Sequence, residues 1–457
     1  MKKTVVINVV GLTKRLIGTH TPFIKAFLEK GQFSYIKPVL PALTCSAQTT
    51  YLTGKWPSEH GIIGNGWYFK DECEIKFWRQ SNHLVQQPKI WDVLKAKDPN
   101  FTCANHFWWY NMYSTVDYSV TPRPNYLADG RKIPDVYSHP AALRDTLQNT
   151  LGTFPLFQFW GPKTTIKSSQ WIADASIQTD IAHDPTLTFI YLPHLDYNLQ
   201  RHGIDFGLIS KDLNEIDRVV EQLVTHYEKT GANVILLSEY GITDVNKPIH
   251  INRVLRKNGL LSVRVERGLE LLDAGASAAF AVADHQIAHV YVKNNDTIDA
   301  VKRILEQIDG VEKVLSGEEI STAHLQHERC GDLVVLAEDK AWFTYYFWLD
   351  DKKAPDYARM VDIHKKPGYD PVEMMTDPKD KLVMAKVVGK LAKKKLGFRT
   401  VMNIIPIDAT LIKGSHGRIP EDEEDYPILI TNNTTGVANI AIDATEIFKV
   451  IESQVLK

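Results

Sequence analysis

Three hydrophobic runs of this chain end in, or contain near their ends, a residue that can offer oxygen to a cation. Asn8 lies in residues 4–10 (TVVINVV), Asp196 follows residues 186–192 (TLTFIYL), and Glu239 follows residues 233–238 (NVILLS). Each alone is ordinary, because polar residues often end strands. Together they offer what a divalent ion needs, since hard cations collect carboxylate and amide oxygens from several elements. Thr44 is a second candidate. It follows the extended segment PVLPAL and opens a helical run at 45–52, so its hydroxyl and the next amides stand at a helix N-terminus, where an anion is stabilised. The plainer reading is a helix N-cap, a common duty of threonine. The glycines of residues 61–66 (GIIGNG) are not a dinucleotide fingerprint: the order is G-x-x-G-x-G, and no helix opens there after a strand.

These side chains need a sheet to bring them together. The runs at 4–10, 186–192 and 233–238 are nearly all apolar, as expected of strands buried on both faces. Between the last two, Leu213, Ile216, Val220, Leu223 and Tyr227 recur at helical spacing up to Gly231. Strand, helix, strand in this order is a βαβ unit, so the fold class is α/β with a mainly parallel sheet. Ligands of such sheets bind beyond the carboxyl ends of the strands, where Asn8, Asp196 and Glu239 stand. After residue 260 the texture changes, with strands expected at 278–283, 288–293, 332–337 and 342–348 and a helix at 297–308. The expected organisation is a catalytic core at 1–260, an inserted α+β cap at 261–395, and a return to the core at 396–457. Residues 100–165, rich in aromatics and proline, read as an ordered excursion over the core. Phe107, Trp108, Trp109, Tyr110 and Tyr113 read chiefly as packing, and the runs 386–395 and 421–425 as solvated charge.

Composition narrows the function class. The 457 residues carry 53 Lys and Arg against 55 Asp and Glu, a balance that excludes a dedicated nucleic-acid or anionic-membrane binder. No run approaches the ~20 apolar residues of a membrane span. Met1-Lys2-Lys3 begins like an export signal, but the apolar run after it is short and lacks a small-residue cleavage site. Cys45, Cys73, Cys103 and Cys330 form no C-x-x-C pair, so neither a zinc knuckle nor a disulfide framework is indicated, and a cytoplasmic protein is expected.

Residues 41–68, PALTCSAQTTYLTGKWPSEHGIIGNGWY, resemble the nucleophile region of the alkaline phosphatase superfamily, in its type I phosphodiesterase / nucleotide pyrophosphatase branch, related to phosphonoacetate hydrolase. Members carry P-x-x-T, a helix, then T-G-x-x-P-x-x-H-G-I-x-x-N; here Pro41, Thr44, Thr53, Gly54, Pro57, His60, Gly61, Ile62 and Asn65 fill that pattern. Residues 366–373 (KPGYDPVE) look like the family's G-Y-D-P segment, and residues 414–417 (GSHG) like its final metal-ligand motif. The resemblance implies an alkaline-phosphatase-like core and a metal-dependent hydrolase of phosphoester, phosphoanhydride or phosphonate bonds in a small phosphorylated metabolite. It makes Thr44 the nucleophile, Asn65 a ligand of a phosphoryl oxygen and His416 a metal ligand.

The chain departs from the pattern at the metal positions. Asn8 stands for the family's first Asp, and S-D-H-G becomes Ser238-Glu239-Tyr240-Gly241. D-x-x-x-H begins at Asp196, but Gln200 stands four residues on and His202 two further, so either could occupy the ligand position. The resemblance implies one tight zinc on Asp196, His416 and a third ligand that is Gln200 or His202, and a second site at Asn8, Thr44 and Glu239 that is weak, absent or filled by Mg²⁺ or Mn²⁺. With His202 as the third ligand, Gln200 and Tyr240 face the substrate. The rival is a non-hydrolytic binding protein with a degenerate centre, against which Thr44, Asn65 and His416 argue, since a binder needs no nucleophile. His60 and His194 read as packing or hydrogen-bonding residues.

Overall fold

The computed structural model describes residues 1–398, 400–433 and 441–457. Strand Thr4–Val9 is buried at every position and pairs in parallel with Leu187–Leu192 on one side and Asn233–Leu237 on the other. Asn8 lies level with Tyr191 and Leu237, so Asp196 and Glu239 leave their strands at the same carboxyl edge. The full sheet has nine strands in the order Ile442–Asp443, Gln32–Lys37, Ile428–Thr431, Asn233–Leu237, Thr4–Val9, Leu187–Leu192, Cys103–His106, Tyr118–Pro122 and Val136–His139. It is mixed: Ile428–Thr431 runs antiparallel to both its neighbours, and Val136–His139 is antiparallel to Tyr118–Pro122. Helices flank it. Phe206–Lys229 buries Leu213, Ile216, Val220, Leu223 and Tyr227, the stripe its spacing predicts.

Residues 100–165 contribute strands to the main sheet as well. They supply the strands Cys103–His106, Tyr118–Pro122 and Val136–His139 at one side of the sheet, followed by helix Ala141–Leu151. These strands are short and carry buried polar residues (Asn105, His106, Ser119, Thr121), so they lack the continuous apolar signature of the central ones. The aromatic residues between them pack inward. Phe107 and Trp108 join the main core, while Trp109 and Tyr110 cluster with Cys45, Ile62 and Trp67 under the Thr44 helix.

A second sheet, antiparallel throughout, has the order Ala279–Asp284, Ile287–Val292, Leu333–Ala337 and Val311–Ser316, with helix Ile298–Glu306 beside it. Of the expected strand 342–348 only Trp342 and Phe343 lie in a ladder, within Ala341–Phe343, which pairs with Lys247–Ile249; Tyr345, Tyr346, Phe347 and Trp348 are buried outside any strand. The acidic run 421–425 is not free charge either, because Arg15 pairs with Asp422 and Asp425 at 2.6 Å each. The turn Asp284–Gln286 of the second sheet points back at the first, and the amide of Gln286 donates to the carbonyl of His416 at 2.8 Å.

Candidate active site

Helix Thr44–Thr53 is buried along its whole length and ends at Gly54, whose φ of +65° is the left-handed conformation that favours glycine. Before the helix, Ala42 bridges to Gly417, and beyond Tyr240 the pair Thr243–Asp244 ladders with Gly414–Ser415. These contacts draw the segments of Thr44, Tyr240 and His416 together. Thr44 Oγ1 lies 3.1 Å from the Tyr240 hydroxyl, which donates to Asp196 Oδ1 at 3.3 Å. A phenol has one proton. With that proton committed to Asp196, Thr44 can bond to Tyr240 only as the donor, and the Glu239 carboxylate faces the same hydroxyl. Asp196 is held on its other oxygen by Gln200 Nε2 at 2.8 Å, and the Tyr369 hydroxyl donates to Gln200 Oε1 at 3.1 Å. Burial pushes Asp196 up to about 7, against the lowering effect of Gln200 and Tyr240.

Glu239 forms the other half of the centre. Its Oε1 accepts from both Asn8 Nδ2 and Gln48 Nε2, and burial pushes its carboxyl up to about 8. Asn8 Oδ1 and Glu239 Oε2 are buried without a hydrogen-bond partner. Gln48 was missed in the sequence reading although it lies one helical turn after Thr44 on the same face, and its own Oε1 is fixed by the Trp109 amide at 2.7 Å.

His416 is buried and directs Nδ1 to the Ala42 carbonyl at 2.8 Å, which assigns the proton to Nδ1 and leaves Nε2 as a lone pair 4.0 Å from Asp196 Oδ1. The Tyr240 ring stacks on it at 3.6 Å, and His285 lies 3.7 Å away on a different side chain stack with Tyr369. Burial holds His416 well below its ordinary value, hence neutral. Asn65 is already engaged: its Oδ1 accepts from the Cys45 amide at 3.0 Å, and its Nδ2 donates to Asp284 Oδ1 at 3.3 Å. One N–H of its carboxamide is left for a ligand. Tyr369 is the tyrosine of the G-Y-D-P segment, whereas Asp284 and His285 carry no motif and reach the centre from a turn of the second sheet.

His202 is not at the centre. It is exposed near the end of helix His194–His202, whereas Gln200 is buried. The helix decides this: Asp196 and Gln200 are four residues apart on one face, and a residue six positions on from Asp196 lies on another. The half expected to bind zinc tightly therefore keeps only Asp196 and His416, and both Asp196 oxygens already accept protons from Gln200 and Tyr240. A three-ligand zinc site does not fit there. The other half fits an ion better. Asn8 Oδ1, Glu239 Oε2 and Thr44 Oγ1 are all oxygen donors, and an unpartnered buried acceptor costs ~1–3 kcal/mol that a hard cation would remove.

A sequence model of the type I phosphodiesterase / nucleotide pyrophosphatase family matches residues 4–370. The chain belongs to that family. Among curated relatives of this phosphodiesterase-family chain, an uncharacterised pyrophosphatase/phosphodiesterase of Schizosaccharomyces pombe is 23% identical over 245 residues, covering 51% of the chain and 42% of the relative. The chain thus spans about two fifths of that relative's length. Its fold is shared with an inactive murine ectonucleotide pyrophosphatase/phosphodiesterase 5 in complex with AMP (TM-score 0.60, 14% identity, 100% of this chain and 95% of that one). It is shared as well with phosphonoacetate hydrolase from Sinorhizobium meliloti in complex with phosphonoacetate (TM-score 0.62, 12% identity, 99% and 96% covered). Among the described residues no helix is long and apolar enough to cross a membrane.

Proposed function

We propose that this chain hydrolyses a phosphoester, phosphoanhydride or phosphonate bond of a small phosphorylated metabolite, with Thr44 as the nucleophile. The observation that carries the reading is the relay from Thr44 Oγ1 through the Tyr240 hydroxyl to Asp196 Oδ1. Thr44 Oγ1 attacks phosphorus as its proton passes to Tyr240 and the Tyr240 proton passes to Asp196. A carboxylate held at about 7 is matched to accept that proton near neutral pH. The bond to the leaving group breaks, and the leaving oxygen or carbon takes a proton from solvent or from the protonated relay. In the second step water attacks the phosphothreonine and gives up one proton, to solvent where Asp196 is still protonated and to Asp196 where it is not. Thr44 Oγ1 departs and regains its proton from Asp196 through Tyr240.

The phosphoryl oxygens would be bound by the free N–H of Asn65 and by the helix N-terminus that begins at Thr44. Among the described residues, no Lys or Arg side chain bonds to Thr44, Asp196, Glu239 or Asp284. A hard divalent ion on Asn8 Oδ1, Glu239 Oε2 and Thr44 Oγ1 would supply the positive charge that an anionic substrate needs and lower the pKa of the threonine hydroxyl. Mg²⁺ or Mn²⁺ suits that all-oxygen set better than zinc. The ligands printed for the structural neighbours, AMP and phosphonoacetate, support a small phosphorylated substrate. The spacing of the cysteines, which suggests no disulfide framework, supports a reducing, cytoplasmic compartment.

A binding protein would have no use for a threonine hydroxyl connected to a carboxylate base. The test is phosphate or phosphonate-cleavage assays on a panel of monoesters, diesters, anhydrides and phosphonates with Mg²⁺, Mn²⁺ or Zn²⁺. Turnover that Thr44→Ala abolishes supports the reading, and binding without turnover by any of them overturns it.

A further inference from the structure

A second group of ligand-type side chains lies on the far side of the helix that carries Asp196 and Gln200. His194 opens that helix, and Asp212 and Glu215 sit three residues apart on one face of Phe206–Lys229, against which it packs. We propose that His194 Nε2, Asp212 Oδ1 and Glu215 Oε2 form a divalent transition-metal site of the zinc class, distinct from the Thr44 centre.

The distances suit ligands around an ion as well as they suit a salt bridge. His194 Nε2 lies 3.2 Å from Asp212 Oδ1 and 3.3 Å from Glu215 Oε2. Ligands held at about 2.0 Å from a tetrahedral zinc are separated by roughly 3.3 Å, whereas a charge-assisted hydrogen bond closes to about 2.7–2.9 Å. The three donor atoms all lie within 4.8 Å of one another. The imidazole is 2% exposed and Nδ1 has no partner. Nε2 faces the two carboxylates outside good hydrogen-bond geometry, and against the lowering effect of burial their negative charge raises the pKa of the ring when no ion lies between them.

The surroundings complete the description. Asn198 Nδ2 donates to Asp212 Oδ1 at 2.8 Å, and Asn198 is itself held by Arg201 at 2.8 Å, an outer layer that fixes a ligating carboxylate in place. Glu215 Oε1, the oxygen not offered to the site, lies 3.6 Å from the largely exposed Lys211. The Glu215 side chain is 24% exposed, which gives an ion a route from solvent and leaves room for water at the fourth position. A neutral imidazole with two carboxylates balances a doubly charged ion, and the nitrogen donor selects the zinc class over Mg²⁺ or Ca²⁺. An ion here would tie the start of the Asp196 helix to the long helix behind it. It would position the centre without touching a substrate.

The test uses the full chain freed of metal by a chelator, then given Zn²⁺ or Co²⁺ alone. Bound zinc is counted by elemental analysis after desalting, and the visible absorption of Co²⁺ reports a low-coordinate site. The proposal expects His194→Gln and Glu215→Gln each to lose one equivalent of zinc, the Co²⁺ absorption and the zinc-dependent rise in Tm, while their metal-free Tm stays close to that of the parent. Asp196→Asn should keep all three signals. Equal zinc content in the parent and both variants would overturn the proposal, as would signals that vanish in Asp196→Asn but survive in His194→Gln. A parent chain that retains no zinc at all would also overturn it and leave His194 as an imidazolium between two carboxylates.

Discussion

Replacing Tyr240 by Phe removes one oxygen from the centre and keeps the ring that stacks on His416 at 3.6 Å. The change breaks two hydrogen bonds, from Thr44 Oγ1 to the phenol and from the phenol to Asp196 Oδ1. Thr44 then has no path to its base, and a positioned general base contributes about 10²–10⁴ in rate. A fall in kcat of about 10³ is expected, with KM changed far less because the phenol is not assigned to substrate binding. The pH profile should move too. In the parent chain Asp196 must be ionised to accept the proton, so log(kcat/KM) should rise with unit slope below an inflection near the value of about 7 set by burial, then level off. The Tyr240 hydrogen bond lowers Asp196, so its loss should shift the Asp196 titration upward. The assay is product release from the best substrate of the panel across the acid and neutral range. Wild-type kcat in Tyr240→Phe, with an unmoved inflection, would refute the relay.

Thr44→Ala should reduce turnover by several orders of magnitude without changing the melting curve by more than a few degrees, while Thr44→Ser keeps a measurable rate. Gln200→His together with Tyr240→His should restore imidazole donors beside Asp196 and His416 and raise zinc affinity, read by elemental analysis after dialysis. Lys366 is buried between Asp370 at 2.6 Å and Glu373 at 2.8 Å, so Lys366→Met should cost about 3–5 kcal/mol in denaturant unfolding by stranding two buried carboxylates. Chelation of divalent ions should slow turnover, and Mg²⁺ or Mn²⁺ should restore it better than Zn²⁺ if the Asn8–Glu239 half holds the ion.

The sequence was most informative where burial is complete. Residues 4–9, 187–192 and 233–237 are apolar on both faces because they lie in the middle of the sheet, and their ends place Asn8, Asp196 and Glu239 at one edge. The strands at 103–106 and 118–122 carry His106, Asn105 and Ser119 in a buried setting, so no run of apolar residues announces them. The choice between Gln200 and His202 was open to an argument from helical phase, since only Gln200 shares the face of Asp196. Gln48 shares a helical face with Thr44 in the same way. Nothing comparable reaches Asp284 or His285. They come from a turn far along the chain, where no periodicity links them to Thr44, and only the folded contact between the two sheets brings them in.

The claim at the centre of this account is that Thr44 Oγ1 becomes covalently bonded to phosphorus during turnover. The direct measurement is intact-mass and peptide analysis of the protein quenched in acid during steady-state turnover of its best substrate. A phosphoryl or nucleotidyl adduct is expected on the peptide that contains Thr44, formed at a rate no slower than kcat and absent from Thr44→Ala. Sustained turnover with no adduct on that peptide, or wild-type rates from Thr44→Ala, would contradict it.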